Sequence, residues 1–501
     1  MNELGMVIAA LLAGGALLAP SSRGRALSML GALILTPVLL IADVADTPQL
    51  EPLRDRPELT AAGAALGLLV LAGLAVLLRR RPGLFAVLAF AAIPFRVPVE
   101  SGGSTANLLV PLYAVIGAGA LAWLVPRLRA REPVATQPNG WLERVLAAAI
   151  VLYALQAAYS SDVSKALEQV VFFYVPFTLL FVLLRELEWT PTLLTWCFGV
   201  LVALAMIFVA IGFVEFWQRE LLLNPKVIAS NQFESYFRVN SLFFDPNIYG
   251  RFLALVMLGL AGVLLWTRQR WSVAFAALAL VVLWAGLLLT LSQSSFAALL
   301  AGLVVIAALR WGAPWRALGI AGAVMVVAVA LVLAFPSAVR LDLSSSESID
   351  KATSGRFDLM QGGVELALDR PVQGFGSASF SREYRRRENA SSERAVSASH
   401  TIPITVGAEQ GVIGLAVYLA LLATALARLL PGAGRFVGRA VVGAGFVALV
   451  VHTWLYAAFL EDPMSWALLG VGAALARAAG PASAGSEWTT ASTAPERPVA
   501  A

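Results

Sequence analysis

The sequence predicts an all-α protein, a polytopic bundle of transmembrane helices. Two features of its composition and one pattern along the chain lead to this prediction. Hydrophobic residues make up 59% of the 501 residues and charged residues 13%, with a mean hydropathy of +0.79. An average soluble domain is about 45–50% apolar and about 25% charged. Long apolar runs also recur along the chain. This composition excludes a disordered chain, a disulfide scaffold and an ordinary soluble enzyme.

The apolar runs predict about 12–15 spans, because roughly 17–25 apolar residues cross the hydrocarbon core of a bilayer. Candidate runs lie at 3–20, 26–42, 60–78, 84–99, 106–125, 142–159, 167–184, 191–216, 247–267, 271–291, 293–309, 317–335, 403–428, 439–460 and 463–479. The run at 84–99 is the weakest, since Pro94 and Arg96 interrupt it. We expect that segment to be short or re-entrant.

Arginine placement predicts the orientation, because cytoplasmic loops are enriched in Lys and Arg. With the loop of Arg23 and Arg25 in the cytoplasm, strict alternation brings the other basic loops to the same side. Two long segments, 217–246 and 336–402, then face outward. The sequence thus predicts a multi-pass protein of a cytoplasmic (inner) membrane, with its active site on the extracytoplasmic face.

These patterns divide the chain into five parts. They are N-terminal transmembrane helices (1–140), core transmembrane helices with the outer loop 217–246 (141–335), a large extracytoplasmic catalytic loop (336–402), C-terminal transmembrane helices (403–479) and a disordered Ala/Ser/Thr/Pro-rich tail (480–501).

The large loop carries signals for a helix of its own. Ser354 is a candidate N-cap and Pro371 a stop. Apolar residues between them recur at spacings of three and four and predict one apolar face, formed by Phe357, Met360, Val364 and Leu368. We expect an amphipathic helix lying over the bundle.

The charge and the cysteine content argue against a nucleic-acid partner, a disulfide and a cysteine-based metal site. The net charge of +5 is explained by basic cytoplasmic loops, so no nucleic-acid partner is expected. The single cysteine, Cys197, lies in an apolar run, which leaves no intrachain disulfide and no cysteine-based metal site. Neither an Asp-x-Asp pair nor a histidine–carboxylate cluster suggests a metal, and no cofactor is expected.

Two histidines are the candidates for proton transfer near neutral pH. His400 stands where the large loop re-enters the membrane, and an interfacial capping role is its alternative. His452 lies within an apolar run and is interpreted as a buried bundle residue. Glu409 is costly at membrane depth, which makes it a functional or orienting candidate.

Two arginines stand beside helix starts. Arg238 precedes Asp245-Pro246-Asn247, where Asp245 can cap and Pro246 fits the first turn. A capped helix with a snorkelling arginine is the alternative. Arg356 follows Ser354-Gly355 at a helix start, where backbone N–H groups favour an anion and the guanidinium suits phosphate. A salt-bridged surface arginine is the alternative.

Over residues 140–480 these motifs resemble the bacterial O-antigen ligase and polymerase superfamily of GT-C type membrane glycosyltransferases. Its pattern has an arginine before D/N-P-N, then L-T-x-S-R, S-G-R, P-x-x-G-x-G and a histidine before E-x-G-x-x-G. The matching residues here are Arg238, Asp245, Pro246, Asn247, Leu289, Thr290, Ser292, Ser354, Gly355, Arg356, Pro371, Gly374, Gly376, His400, Glu409, Gly411 and Gly414. The chain departs at Gln293, where Arg is common, and at Thr401, where Asn commonly follows the histidine.

The resemblance implies a polyprenyl-diphosphate-linked oligosaccharide as donor, a glycan or lipid-glycan as acceptor, and the lipid bilayer as the setting. His400 would act as general base, with Arg238 and Arg356 neutralising the diphosphate. Single displacement predicts inversion at the anomeric carbon without a metal. The expected substrate-binding residues are Asp245, Asn247, Gln293, Glu409, Tyr384, Arg385 and Arg386. For the Tyr384–Arg387 stretch, a solvated loop face is the alternative.

Three functions remain open on the sequence. The first is a polymerase of surface polysaccharide repeat units, and the second is a ligase that transfers the glycan to lipid A core or another acceptor. The Ala- and Arg-rich composition is typical of GC-rich genomes, which leaves room for an organism without lipopolysaccharide and favours the polymerase. The third is a transporter of lipid-linked glycan, which would place polar residues along a central path.

Overall fold

The computed structural model describes residues 2–44, 55–101, 104–130, 138–222, 237–313, 315–316, 319, 356–388 and 401–478. Within these residues, ten helices are long and apolar enough to cross a membrane, and two shorter apolar helices accompany them. The predicted all-α polytopic bundle is thereby confirmed.

The helices follow the predicted apolar runs closely. In chain order they are α1 (Asn2–Leu18), α2 (Ser22–Val44), α3 (Pro57–Arg80), α4 (Gly83–Ala92), α5 (Val110–Arg129), α6 (Trp141–Ala157), α7 (Val163–Glu186, with a π turn at Val170–Tyr174), α8 (Pro191–Gln218), α9 (Pro246–Trp266), α10 (Arg270–Thr290), α11 (Gln293–Trp311), α12 (Arg356–Asp369), α13 (Phe380–Glu388), α14 (Ile402–Leu429), α15 (Val437–Leu455) and α16 (Pro463–Ala478).

The segment 84–99 contains a short helix, as expected. Helix α4 ends at Ala92, and a two-stranded antiparallel hairpin follows, with β1 (Val97–Ser101) paired to β2 (Ser104–Leu108). Pro94 lacks the backbone N–H that would continue the hydrogen bonds of the helix, so the helix ends here. The run at 317–335 and the tail at 480–501 fall outside the described residues, apart from Gly319.

Helix α9 lies at the centre of the bundle and packs against α8, α10, α11 and α15. Its 21 residues rise about 32 Å at 1.5 Å per residue, enough to cross the hydrocarbon core. Almost its whole length is buried, whereas α3 is nearly all exposed. Because α9 is packed on all sides, the residues at its ends are held in fixed positions. One of these ends is the Asp-Pro-Asn motif.

One end of the bundle gathers arginines from distant parts of the chain; we call it the basic end. There Arg23 donates to the carbonyl of Ala130 (3.1 Å), and Arg477 donates to the carbonyl of Arg185 (2.9 Å). Arg185 itself pairs with Glu143 at 3.0 Å, with both side chains buried. The ends of α2, α5, α6, α7 and α16 therefore meet at this end, as the alternation of basic loops predicts.

The described part of the large loop lies against α14. Leu359, Leu366, Phe380, Tyr384 and Ala408 form a small buried cluster that joins α12, α13 and α14. The helix expected after Ser354 is present as α12, and it ends before Pro371. Ser354 lies outside the described residues.

The predicted apolar face of α12 is not the face that packs on α13 and α14. Met360, Val364 and Leu368 are exposed, whereas Leu359 and Leu366 are buried. A Cβ at Gly362 would lie 2.5 Å from the ring of Tyr384. The side of α12 without a side chain at Gly362 can approach α13 closely, and that contact decides which face is packed.

Candidate functional site at the start of helix α9

Arg238 lies across the end of α10 and points to the start of α9. Its Nε donates to the carbonyl of Thr290 (2.9 Å), and its Nη2 donates to Oδ1 of Asn247 (3.1 Å). The backbone N–H of Val239 donates to the carbonyl of Leu289 (3.2 Å) and holds the segment in place. These hydrogen bonds orient the guanidinium toward the start of α9.

The turn after Arg238 is held by a residue that sequence reasoning missed. Glu215, buried in α8, accepts hydrogen bonds from the backbone N–H groups of Ser241 (2.8 Å) and Leu222 (3.2 Å). Ser241 has φ of +51°, a conformation uncommon for a residue with a side chain. A lone carboxylate within the apolar run 191–216 was the available signal.

The start of α9 follows the prediction. Asp245 is the N-cap, its Oδ1 accepts from the N–H of Asn247 (2.6 Å), and Pro246 occupies the first turn. The other oxygen, Oδ2, accepts from the hydroxyl of Tyr456 (2.7 Å), just beyond α15. Asp245 therefore caps α9 and also connects the start of α9 to the segment that follows α15.

Asn247 joins Arg238 to a buried polar network under the site. Its Oδ1 also accepts from Ser292 Oγ (2.8 Å). His452 Nε2 lies 3.2 Å from the hydroxyls of Ser294 and Ser295 and from the carbonyl of Asn247. All five side chains are buried or nearly so, and they link α9, α11 and α15. His452, interpreted from sequence as a buried bundle residue, is buried and also part of this network.

Three glycines allow the loop after α12 to dock on a break in α14. Gly411 has φ of +64°, and a Cβ there would lie 2.2 Å from the carbonyl oxygen of Val372. Gly374 and Gly376 also have positive φ, and a Cβ on either would lie within 2.4 Å of opposing backbone. The P-x-x-G-x-G and E-x-G-x-x-G motifs are therefore two sides of one contact.

Glu409 serves that contact. Its two carboxylate oxygens accept from the backbone N–H groups of Ala378 (3.0 Å) and Phe380 (3.2 Å), at the start of α13. Its carbonyl accepts from Gly376 (2.8 Å). The side chain is buried, so Glu409 orients the loop, which was one of the two roles considered for it.

Residues 278–419 match the family model described as O-antigen ligase. Over this range, less than a third of the chain, the sequence is similar to that family. No curated protein and no solved structure matches the chain.

The O-antigen ligase match and the polar network overlap only in part. The matched range contains Ser292 and Glu409, together with His400 and Arg356. Arg238 and the Asp245–Asn247 helix start lie outside it, as does His452. Hydrogen bonds of Asn247 and His452 to α11 connect the two sets.

Two of the three predicted catalytic residues are described incompletely. His400 lies outside the described residues. Arg356 begins α12, and only its backbone is described. Thr401, the residue after His400, immediately precedes α14. Its hydroxyl donates to the carbonyl of Trp454 (3.1 Å), which lies two residues before Tyr456 in the chain.

The remaining predicted binding residues divide into a buried and an exposed group. Tyr384 is 1% exposed and stacks on Phe380, so its ring is part of the loop's core. Arg386 and Gln293 are exposed, and Arg385 is partly buried. Their roles in substrate binding stay predictions.

A second charged cluster lies beside the site and includes Arg96, which follows α4. Arg251 pairs with Asp462 at 3.1 Å, with both side chains buried. The Arg96 guanidinium lies over the ring of Phe244, 5.0 Å from its centroid. These two arginines and Asp462 line a cavity of about 10 Å³, room for about one water molecule. The cluster as it stands accommodates no phosphate and acts as an internal ion pair.

Burial shifts the pKa of two charged groups near this cluster. It lowers the pKa of Arg96 from its ordinary value. It raises the pKa of the Glu461 carboxyl, which lies 3.4 Å from the hydroxyl of Tyr174. Among the described residues, no group of three His, Cys, Asp or Glu side chains is placed to hold a metal ion.

Proposed function

We propose that the protein is a membrane glycosyltransferase that uses a polyprenyl-diphosphate-linked glycan as donor and polymerises surface polysaccharide repeat units on the outer leaflet. The observation that carries the proposal is the hydrogen-bonded chain from Arg238 through Asn247 to Ser292, which connects Arg238 at one end of the bundle to the region that matches the O-antigen ligase model.

The proposed reaction is a single displacement. The acceptor sugar hydroxyl attacks the anomeric carbon, the bond from that carbon to the diphosphate oxygen breaks, and the lipid diphosphate leaves with the electron pair. His400 takes the hydroxyl proton as general base. Arg238 and Arg356 stabilise the charge that grows on the diphosphate, as planar bidentate donors suited to phosphate oxygens. The anomeric configuration inverts, and these arginines supply the positive charge that a metal would otherwise supply.

The arrangement of the described residues supports a shared site. Thr401 bonds to the end of α15 at Trp454, and Tyr456 of the same segment bonds to Asp245 at the start of α9. The peptide that follows His400 therefore lies on the segment that also holds the Arg238 network. Asn247 and Asp245, expected to bind substrate, act in our proposal by positioning Arg238.

The membrane orientation follows from the two ends of the bundle. Arg23, Arg185 and Arg477 lie at the basic end. Arg238 lies at the other end of the bundle, beside the start of α9. Because cytoplasmic loops of membrane proteins are rich in Lys and Arg, we infer that the site faces outward across the cytoplasmic membrane.

A ligase that moves the same glycan to lipid A core or another acceptor is the second candidate. The matching family description, O-antigen ligase, favours it. The transporter is disfavoured, because the described polar network lies at one end of α9 and not along a central path.

A reconstituted turnover assay tests the proposal. The full chain in liposomes receives a polyprenyl-diphosphate oligosaccharide with EDTA present, and products are separated by size on a gel. We expect a ladder from the parent protein and from Lys165→Gln, a matched loss of one exposed outer cation. His400→Ala and Arg238→Gln should give no ladder. Transfer only after addition of lipid A core would make the protein a ligase. No turnover with either acceptor would contradict the proposed chemistry.

A further inference from the structure

Helix α12 carries an apolar stripe that no described part of the chain covers. Met360, Val364 and Leu368 recur every four residues and so share one face, and Val372 continues the line after the helix. They are 39%, 43%, 71% and 55% exposed, in that order. Residues beside the stripe, such as Gln361, are polar and exposed.

The stripe is distinct from the face by which α12 is held. Leu359 and Leu366 are buried in the cluster with Tyr384 and Ala408. The helix therefore has a packed face on α13 and α14, an apolar exposed face and a polar exposed face. Only the first of these is explained by the fold of the loop.

The contacts of Pro371–Gln373 place this stripe at the level where two spans leave the hydrocarbon core. On one side, the N–H of Val412 donates to the carbonyl of Pro371 (2.7 Å), just past the break of α14 at Gly411. On the other side, Tyr159 donates its hydroxyl to the carbonyl of Gln373 (2.6 Å), two residues after α6 ends.

The lengths of those two spans agree with that level. The continuous part of α14 beyond Gly411 runs to Leu429, and α6 is 17 residues long. At 1.5 Å per residue these segments rise about 27 Å and about 26 Å, close to the roughly 30 Å hydrocarbon core. Both spans therefore reach the bilayer surface near Val372.

The stripe is also next to a surface that faces lipid. Val412 and Ile413, the first residues of α14 beyond the break, are exposed apolar side chains on a membrane-spanning helix. The bond between Val412 and Pro371 brings Val372 beside them. An apolar surface thus continues from the span through Val372 onto α12.

We propose that α12 is an interfacial helix that inserts Met360, Val364 and Leu368 among the acyl chains of the leaflet on the side of the large loop, with Gln361 and Glu365 in the headgroup region. Such burial of an apolar face in the interface is favourable in proportion to its area. The insertion anchors the start of α12, Arg356, at the height of the lipid headgroups. This inference does not depend on the proposed reaction.

A second copy of the chain is a weaker occupant for this surface. Four partly exposed side chains cover far less than the roughly 800 Å² per partner that a stable interface buries. A bilayer needs no such minimum area, since it surrounds the protein at this level in any case.

Spin-label accessibility in single-copy nanodiscs tests the inference. In a Cys197→Ala background, one cysteine is placed at Val364, at Asp358 as an exposed control on the polar side of the same helix, or at Leu419 as a reference on the exposed face of α14. Each is labelled with a nitroxide, and collisions with oxygen, which concentrates in lipid, are compared with collisions with a water-soluble nickel chelate.

We expect the ratio of oxygen to nickel collisions at Val364 to be several-fold higher than at Asp358 and close to that at Leu419. A ratio at Val364 equal to that at Asp358 would place the stripe in water and overturn the inference. Low collision with both reagents at Val364 would mean cover by protein and would overturn it as well. Size exclusion and thermal unfolding check the fold of each variant, and Met360→Cys replaces Val364→Cys if the latter does not fold.

Discussion

Two arginines at opposite ends of the bundle, one buried and one partly buried, meet different partners. At the basic end, Arg185 lies 3.0 Å from the carboxylate of Glu143, and both side chains are about 95% buried. At the other end, Arg238 donates to the carbonyl of Thr290 and the amide oxygen of Asn247. An ion pair therefore holds Arg185, and hydrogen bonds to these two oxygens orient Arg238.

The difference separates an arginine in a buried ion pair from one that is hydrogen-bonded to oxygens at the ends of α9 and α10. A buried ion pair is costly to break, because removing one partner leaves an uncompensated charge. In our proposal, Arg238 also donates to the diphosphate, whose oxygens suit a planar guanidinium. The same residue type therefore stabilises the fold at one end and, in our proposal, the reaction at the other.

The largest expected effect is on stability at the basic end. Arg185→Gln should lower the free energy of unfolding by about 3–5 kcal/mol, since Glu143 is left buried and unpaired. Arg144→Gln, an exposed neighbour at the same end, should change it by less than about 0.5 kcal/mol. Denaturant unfolding in mixed micelles measures both. Equal effects would mean that the Arg185 pair is no more than a surface contact.

At the outer end the loss should appear in turnover. Arg238→Gln should reduce kcat by about 10²- to 10³-fold, as for removal of one preorganised donor to a developing anion, with the unfolding free energy nearly unchanged. Arg238→Lys should recover part of the rate, since it restores the charge but not the planar fork. A stability loss as large as that of Arg185→Gln would erase the distinction between the two arginines.

The contact between the large loop and α14 should depend on one backbone conformation. Gly411→Ala should destabilise the protein by about 1–3 kcal/mol, because φ is +64° and the new Cβ would meet the carbonyl of Val372. Gly199→Ala is the matched control: nothing lies within 4 Å of its Cβ position inside α8, and it should stabilise by about 0.5–1 kcal/mol. Thermal unfolding midpoints should therefore move in opposite directions.

His452 should act as a positioning residue for the outer arginine. His452→Ala should reduce kcat about tenfold, equivalent to about 1.4 kcal/mol and to the loss of roughly one buried hydrogen bond. His452→Gln, whose amide can donate to the same oxygens, should recover most of the rate with the KM unchanged. If Gln is as damaging as Ala, the imidazole does more than orient Asn247.

The smallest effect concerns pH. Burial raises the pKa of Glu461 in the folded protein, so the folded state holds its proton at a pH where the unfolded state has lost it. Stability from this group is present below the unfolded pKa and falls as pH rises toward the folded pKa. Glu461→Gln should flatten that fall, seen as a smaller drop in the unfolding midpoint between mildly acidic and neutral buffer. A parallel shift at every pH would mean that Glu461 does not titrate differently on folding.

Much of the fold was predictable because the bilayer restricts it to one element type. Apolar length alone located the described spans, and Asp245-Pro246 marked the start of α9. In segment 84–99, the interruption at Pro94 marked a short helix, but not the hairpin that follows it. The packed face of α12 was not predicted, because Gly362 adds nothing to a hydrophobic pattern, although its missing side chain permits the contact with Tyr384.

The candidate site was predictable only as a set of residue types. Arg238, Asp245 and Asn247 were found together because they are neighbours in the chain, and the hydrogen bond from Arg238 to Asn247 agrees with that grouping. Glu215 and His452 were missed as partners, because both lie in apolar runs far from the motif. Residues that are distant in the chain but close in the fold leave no pattern within a short stretch of sequence.

The sequence by itself determined that this chain spans a membrane many times, which loops carry the basic residues, and where α9 and α12 end, since hydropathy, charge and capping act over a few residues. Tertiary structure alone decided which polar groups share a network, which carboxylate Arg185 pairs with, and which apolar face of α12 is left exposed. Those outcomes depend on how distant helices pack, and the energy of a hydrogen bond or ion pair depends on a partner that the local sequence does not name.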